Sequence, residues 1–598
     1  MLTRFRRLPA WLQVVAVLSL PVVVIGAYFR FAGLFDVFCR NPDELAEMMP
    51  GLRLHALPFL NLGEPIRYNF FRSLFYSQHG LGDVSFYYLS SGLLSILRFP
   101  ISERFLFYAG SVTNLALAIA GGAIAARLLN SAGTGWIFAI LVWLSPVYVF
   151  VSKTGWGRLT WTPLLILLLF YLQWKAMRHR GLWWCSAFCA LAGFVSLTDG
   201  FLVLPILPIF GLLIADGDSF GGRLSHLLRN RAFLAGFLAF AVGVAIDLAI
   251  GLAAARRGTN LTMMAYVLLR GTHGAWIPSR LVLSAVPRSV EYYVPFSGAS
   301  IVVMAAVVLA ALEGLRGRVV GFLAAWWLLA ALAILRYAAS LESTGIYPVP
   351  GSMNAYNLAV PSLLLFAWLL ASVADGRIAL THRVPAFLRG AASVAALLVT
   401  GFMLGQQARA VAFRGPDDEI SPAGISKCRV VKAAAAYVRL HAVGVPYVFH
   451  LSADGYLGHF GEFYYGLSYA RSSAPEDPNH LLDFGVWQFQ RRYPPHAFYR
   501  PYGVEHFDYY VDFLDNKDPF RSEVDDRLIR DGAHVVCTIL DGGRPIGRVL
   551  SFNNEQPIEV EYRTAAEAWD RTVSLRTLIL QPLTGSSYHF GYNWRAPE

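Results

Sequence analysis

The sequence predicts a polytopic α-helical membrane protein that carries a soluble C-terminal domain of α/β or α+β type. Three observations predict it. Only 15% of the residues are charged and 56% are hydrophobic, against about 25% charged in an average soluble chain. Apolar runs recur between residues 11 and 408, most of them close to the roughly 20 residues that cross a bilayer as a helix. From residue 410 onward the runs stop and acids outnumber bases. The formal net charge of +11 therefore resides in the membrane half, where Lys and Arg suit loop anchors and phosphate contacts. No basic stripe for DNA or RNA is present, which excludes nucleic acid as a partner class.

The N-terminus reads Arg4-Phe5-Arg6-Arg7 and then an apolar stretch over 11–31 without a clean small-x-small cleavage site, the pattern of an uncleaved signal-anchor. Further spans are expected at 105–127, 135–151, 160–177, 182–198, 200–215, 231–255, 297–313, 319–338, 357–374 and 388–408. The run 84–99 is short and carries Tyr87, Tyr88, Ser90, Ser91 and Ser95. Loop charge decides its placement. If 84–99 lies along the surface, the links holding Arg127, Lys175, Arg178, Arg180, Arg223, Arg229, Arg316, Arg318, Arg377 and Arg383 all fall on the side of the basic N-terminus, as the positive-inside rule requires. The expectation is about 11 spans, N-terminus cytoplasmic, with an interfacial helix at 84–99 and a membrane domain over 1–409. The first outer loop is 32–104, and the domain at 410–598 lies outside.

Within that outer domain, 430–440 has helical spacing, while 447–451, 535–540, 546–552, 558–562 and 575–580 read as strands, with Asp541-Gly542-Gly543 as a hairpin turn. Cys428 and Cys537 fall there and would be free to pair, while Cys185 and Cys189 sit in an apolar run. His450, Asp454, His459 and Glu462 match no standard metal-site spacing.

The chemistry-bearing residues cluster in the outer segments. Asp43 and Glu44 stand side by side in the first loop, followed by His79 and Asp83. Adjacent carboxylates repel and cost desolvation, which suits a general base at the membrane face; Asn41-Pro42-Asp43-Glu44 equally reads as a helix start. A short turn, Gly155-Trp156-Gly157-Arg158, follows the third span, and the loop 256–296 holds Arg270, His273 and Arg280. Asp247 lies inside the span 231–255, a functional candidate by default, and Asp199 stands where one span ends. Carboxylates and arginines on one face of a bilayer suit sugar transfer from a lipid phosphate. The carboxylate takes the acceptor hydroxyl proton, and arginines hold the departing phosphate.

The order of these features resembles the C-type (GT-C) glycosyltransferase superfamily, in particular the branch of bacterial aminoarabinose transferases and protein O-mannosyltransferases. It comprises one span, an acidic pair in the first outer loop (Asp43-Glu44), a Tyr-rich helix (Ser85-Phe86-Tyr87-Tyr88), then Leu144-Ser145-Pro146 leading to Gly155-Trp156-Gly157-Arg158. The resemblance covers roughly the first 215 residues. It implies that Asp43 is the base or acceptor-orienting group with Glu44 beside it, and that Arg158 contacts acceptor or phosphate. It places Arg270, His273 and Arg280 toward the lipid phosphate and His79 and Asp83 at the substrate. It implies a polyprenyl-phosphate sugar donor, a lipid, glycan or protein acceptor, and a bacterial inner-membrane setting. Departures from the family pattern leave donor and acceptor open: His79-Gly80-Leu81-Gly82 replaces His-Pro-Pro, and the second turn holds Arg158 in place of an acid. Some C-type transferases use a divalent cation between acidic residues; with no acid in the second turn, no metal site and no cofactor requirement is expected. A transporter or flippase of a lipid-linked substrate, and a non-catalytic envelope-assembly protein, are the alternative classes; a transporter is expected to show internal repeats, and none is visible.

Overall fold

A computed structural model describes residues 8–31, 85–90, 92–93, 103–154, 158–179, 181–256, 280–294, 298–342, 356–378, 381–414, 422–441, 448–450, 509–514 and 521–565. The chain divides into two compact units, Met1–Gly33 with Tyr108–Gly415, and Leu34–Phe107 with Pro416–Glu598.

The described elements of the first unit are all helices. Helix α1 (Ala10–Phe31) is followed by α2 (Glu103–Ala116), a π-turn (Leu117–Gly121) and α3 (Gly122–Leu128). Ser131 caps α4 (Ala132–Leu144), its hydroxyl accepting from the Thr134 N–H at 3.3 Å. Then come α5 (Pro146–Thr154), α6 (Arg158–His179), α7 (Leu182–Val203), α8 (Ile206–Ile214), α9 (Phe220–Arg229) and α10 (Arg231–Arg256). The unit continues with α11 (Arg280–Tyr293), α12 (Ala299–Leu315), α13 (Gly321–Glu342), α14 (Tyr356–Ala374) and α15 (Ala386–Arg414).

Among the described residues, four helices are long and apolar enough to cross a membrane: Ala10–Phe31, Ala109–Leu128, Arg231–Ala249 and Ala386–Ala412. The bent pair Ala132–Leu144 and Pro146–Ser152 makes a fifth if it is one span. Large apolar side chains such as Val17, Leu20 and Val24 on α1 point outward, which a bilayer accepts and water would not. Inside, Phe170, Phe210, Phe322 and Trp326 pack edge-on or tilted with ring centroids 5.0–6.0 Å apart. Small residues set the closest approach. A Cβ on Gly135 would meet the Gly122 carbonyl oxygen, so α3 and α4 can touch only through glycines at that point. At the end of α6, the Lys175 ammonium sits 4.7 Å from the Trp174 ring centroid, the pairing of cation and aromatic ring that marks membrane–water boundaries.

Two local differences from the sequence reading have simple causes. The apolar runs 182–198 and 200–215 are divided not at Thr198-Asp199-Gly200 but after Val203, just ahead of Pro205, whose ring lacks the N–H a continuing helix needs. Amphipathic α9 lies between the runs used to place spans; Phe220, Leu224 and Leu228 form its exposed apolar stripe.

In the second unit, residues 85–90 are helical, with Phe86 and Tyr87 buried and their rings 5.1 Å apart, edge to face. The C-terminal part holds helix α16 (Pro422–His441), strand β1 (Val448–His450), β2 (Tyr509–Phe513), α17 (Arg521–Arg530), β3 (His534–Asp541), β4 (Arg544–Ser551) and β5 (Ile558–Glu561). The sheet order is β1-β2-β4-β3-β5. β3 and β4 form the expected hairpin, with β4 also antiparallel to β2, while β1–β2 and β3–β5 are parallel. Gly542 and Gly543 turn the hairpin with φ of 60° and 78°, and the Glu561 carboxylate accepts both their N–H groups, at 3.2 and 2.7 Å. The run 575–580 lies outside the described residues. Cys537 on β3 is a buried free thiol, so it does not pair with Cys428; burial pushes its pKa up to about 12.

Two carboxylate clusters tie this part together. Asp512 on β2 lies opposite Arg548 on β4, and Arg548 donates to Asp512 and to Asp525 of α17, both at 2.7 Å. Burial pulls the Arg548 pKa down, but the two carboxylates more than reverse this and hold it above the usual guanidinium value. Glu555 accepts from the hydroxyls of Tyr437 (2.5 Å) and Tyr509 (2.7 Å), joining α16 to β2. Replacing Arg548 by Leu strands two acids that are almost fully buried. The unfolding free energy in urea is expected to fall by about 3–5 kcal/mol, with Arg548→Lys intermediate; an unchanged urea midpoint for Arg548→Leu would contradict the clamp.

Candidate functional site

The acidic pair Asp43 and Glu44, together with His79, Asp83, Arg270 and His273, lies outside the described residues. Arg158 opens α6 and Arg280 opens α11, so both cations stand at the first position of a helix, Arg158 directly after the turn 155–157 that follows the Ser145-Pro146 element. Their side chains lie outside the description.

What the structure describes is the frame that leads into that turn. Pro146 has no N–H, and Ser145 adopts extended backbone (φ −60°, ψ 129°), so the helix is bent by 56° between α4 and α5. The bend removes helical partners from the last carbonyls of α4, and a carbonyl left bare in an apolar bundle is costly. Arg30, in the last turn of α1, supplies the donor. Its Nη1 donates to the Trp143 carbonyl at 2.8 Å and to the carbonyl of Gly26, in its own helix, at 2.8 Å; its Nη2 donates to Asn114 Oδ1 at 3.2 Å. Asn114 Nδ2 in turn donates to the Tyr148 carbonyl at 3.0 Å. The Arg30–Asn114 pair thus holds one carbonyl before the break and one after it.

Packing locks this arrangement. The Arg30 guanidinium lies 3.8 Å from the Trp143 ring centroid. The Trp143 indole N–H donates to the Val23 carbonyl at 3.1 Å. That ring can lie against α1 because residue 26 is glycine: a Cβ there would collide with Trp143 Nε1 and Cδ1. On the other side, Gly110 of α2 faces the backbone of Val151 and Ser152. Arg30 is fully buried, and among the described residues no carboxylate pairs with it; its Nε and the Tyr148 hydroxyl are buried without a hydrogen-bond partner. A fully buried guanidinium whose described partners are all neutral is unusual in a bilayer bundle.

A second feature concerns the two acids that fall in spans. Helices α7 and α10 run side by side. A Cβ on Gly236 would strike the Phe188 ring, and one on Gly243 would meet Ser196 Oγ and the Gly193 carbonyl. The offset between facing positions stays near that between Ser196 and Gly243, so the helices are parallel and Asp199 is level with Asp247 along the pair. Asp247 is buried, and Asp199 lies within α7 rather than at its end. Among the described residues no group of three His, Cys, Asp or Glu side chains could hold a metal ion.

Arg30 and Asn114 were not among the residues the sequence singled out. The available signal was an arginine before the first outer loop and an asparagine inside the run 105–127, each of which also fits an ordinary span.

No family model matches the chain, and no curated protein matches it by sequence. Solved structures do. ArnT from Cupriavidus metallidurans, bound to undecaprenyl phosphate, aligns over 92% of this chain and 99% of its own at 14% identity, with a TM-score of 0.52. The Archaeoglobus fulgidus oligosaccharyltransferase in the apo form aligns over 85% of this chain and 70% of its own, at 14% identity and a TM-score of 0.48. The chain has the GT-C-type fold, a polytopic helical membrane architecture with a small C-terminal sheet region.

The Trp143 seat gives a direct test. Gly26→Val is expected to displace the indole and lower the melting temperature of the detergent-solubilised protein, at an overpacking cost of about 1–3 kcal/mol. An unaltered melting temperature would show that the indole does not need this seat.

Proposed function

We propose that the protein is a glycosyltransferase that moves a sugar from a polyprenyl-phosphate-linked donor to a lipid, glycan or protein acceptor on the extracytoplasmic face of a bacterial inner membrane. The observation that carries this reading is the near end-to-end match to ArnT, a structure that holds undecaprenyl phosphate, combined with the order of the acidic pair, Tyr-rich helix, Ser145-Pro146 break and Arg158 along this chain.

In this mechanism the Asp43 carboxylate accepts the proton of the acceptor hydroxyl, with Glu44 beside it. The acceptor oxygen forms the new bond to the anomeric carbon while the bond from that carbon to the phosphate oxygen breaks. The electron pair leaves with the polyprenyl phosphate, whose charge is met by Arg158, Arg270, His273 and Arg280. His79 and Asp83 contribute to the substrate surface. The loop 32–104 and the domain 410–598 lie on the outer side and the N-terminus is cytoplasmic. The reaction changes no oxidation state and so uses no redox cofactor.

The test is sugar transfer by the purified protein in vesicles from undecaprenyl-phosphate-linked hexose and pentose donors. Asp43→Asn is expected to lower kcat about 10²–10⁴-fold with the protein still folded. Full activity in Asp43→Asn would remove Asp43 from the mechanism. Lipid translocation without transfer would favour the transporter class.

A further inference from the structure

The geometry points to Arg30 as a positioning residue: with Asn114 it forms a cross-brace over the Ser145-Pro146 break and thereby fixes α5, the helix that leads toward Arg158, against α1. This role rests on the transferase reading for its kinetic consequence and on the fold alone for its structural one.

An arginine at a helix end beside a membrane surface ordinarily extends its head group to water. Arg30 does the reverse: it is fully inside and binds four neutral groups, namely the carbonyls of Gly26 and Trp143, the amide of Asn114 and the ring of Trp143. Among the described residues its acceptors are all neutral, and there a residue serving only to fill space would be better as Met or Leu. What Met and Leu lack is the fork. The planar guanidinium reaches two directions at fixed spacing, here Trp143 O in α4 and Asn114 Oδ1 in α2. Asn114 then extends the line to Tyr148 O in α5, an oxygen that also accepts from Ser152 Oγ at 2.7 Å. Of the helices meeting here, α1 leads into the first outer loop and α5 leads into the turn before Arg158. The brace therefore fixes the root of one predicted catalytic segment against the root of the other.

The experiment compares Arg30→Met, Arg30→Lys, Asn114→Leu and Asn114→Asp with the parent, in two measurements. The first is the labelling rate of Thr154→Cys by a membrane-impermeant maleimide, corrected for the same background without that cysteine. The second is turnover against undecaprenyl-phosphate sugar. Loss of the brace is expected to raise the labelling rate and to lower kcat about 100-fold with donor KM little changed, as a misplacement near 1 Å does. Arg30→Lys keeps the charge but lacks the two-nitrogen fork whose Nη1 and Nη2 hold Trp143 O and Asn114 Oδ1 separately, and is expected not to rescue. Asn114→Asp, which keeps an acceptor for Arg30 and neutralises it but loses the donor to Tyr148, behaves as Asn114→Leu does. Labelling unchanged in both Arg30→Met and Asn114→Leu overturns the brace, and if Arg30→Met does not fold, the Asn114 pair decides. Rescue by Arg30→Lys shows that charge alone suffices and overturns it too. Altered labelling with normal kcat in an active parent overturns the positioning role. A parent that transfers no sugar counts against the transferase reading and leaves the labelling result to decide the brace.

Discussion

The organising constraint is that a helix broken inside a bilayer must give its released carbonyls new donors. Water cannot supply them in the hydrocarbon region, and each unmet group costs several kcal/mol. The break at Ser145-Pro146 creates that need at the Trp143 carbonyl, and the donor comes from elsewhere in the bundle, Arg30 of α1, while Asn114 of α2 links Arg30 to the Tyr148 carbonyl in α5. The rest of the local packing follows from admitting them. Gly26 makes room for Trp143, and Trp143 carries the guanidinium on its ring.

The two units handle buried charge in opposite ways. Arg548 sits between Asp512 and Asp525 in a compact ionic triad. Among the described residues Arg30 meets only dipoles and a ring. Two acids beside a bilayer-embedded cation would each have to leave water too, and neutral carbonyls that already need donors are cheaper partners.

The legible part of the fold was the part written in local pattern. Hydropathy marked the helices and Asp541-Gly542-Gly543 marked the hairpin, because each depends on neighbours in sequence; the bend at Ser145-Pro146 falls inside the expected span 135–151. Strand β2 escaped notice because Tyr509–Phe513 is buried throughout and pairs in parallel with a strand about sixty residues away, so it shows no alternation. Arg30 escaped for a related reason. Its partners are 84 and 113 residues distant, and nothing near it distinguishes an inward arginine from a surface one. For the chemistry, Asp43, Glu44, His79, Asp83, Arg270 and His273 stand on sequence order alone.

The inward arginine also bears on how the protein is made. Arg30 emerges from the ribosome before Asn114 and well before Trp143. During that interval the first span carries a cation whose only eventual partner already present is the carbonyl of Gly26, so the side chain must wait at the water surface. Its withdrawal into the bundle belongs to a late stage of biogenesis, set off by the arrival of the later helices. The first span thus enters the bilayer as a provisional anchor and becomes a component of the active bundle only when the chain behind it has been inserted.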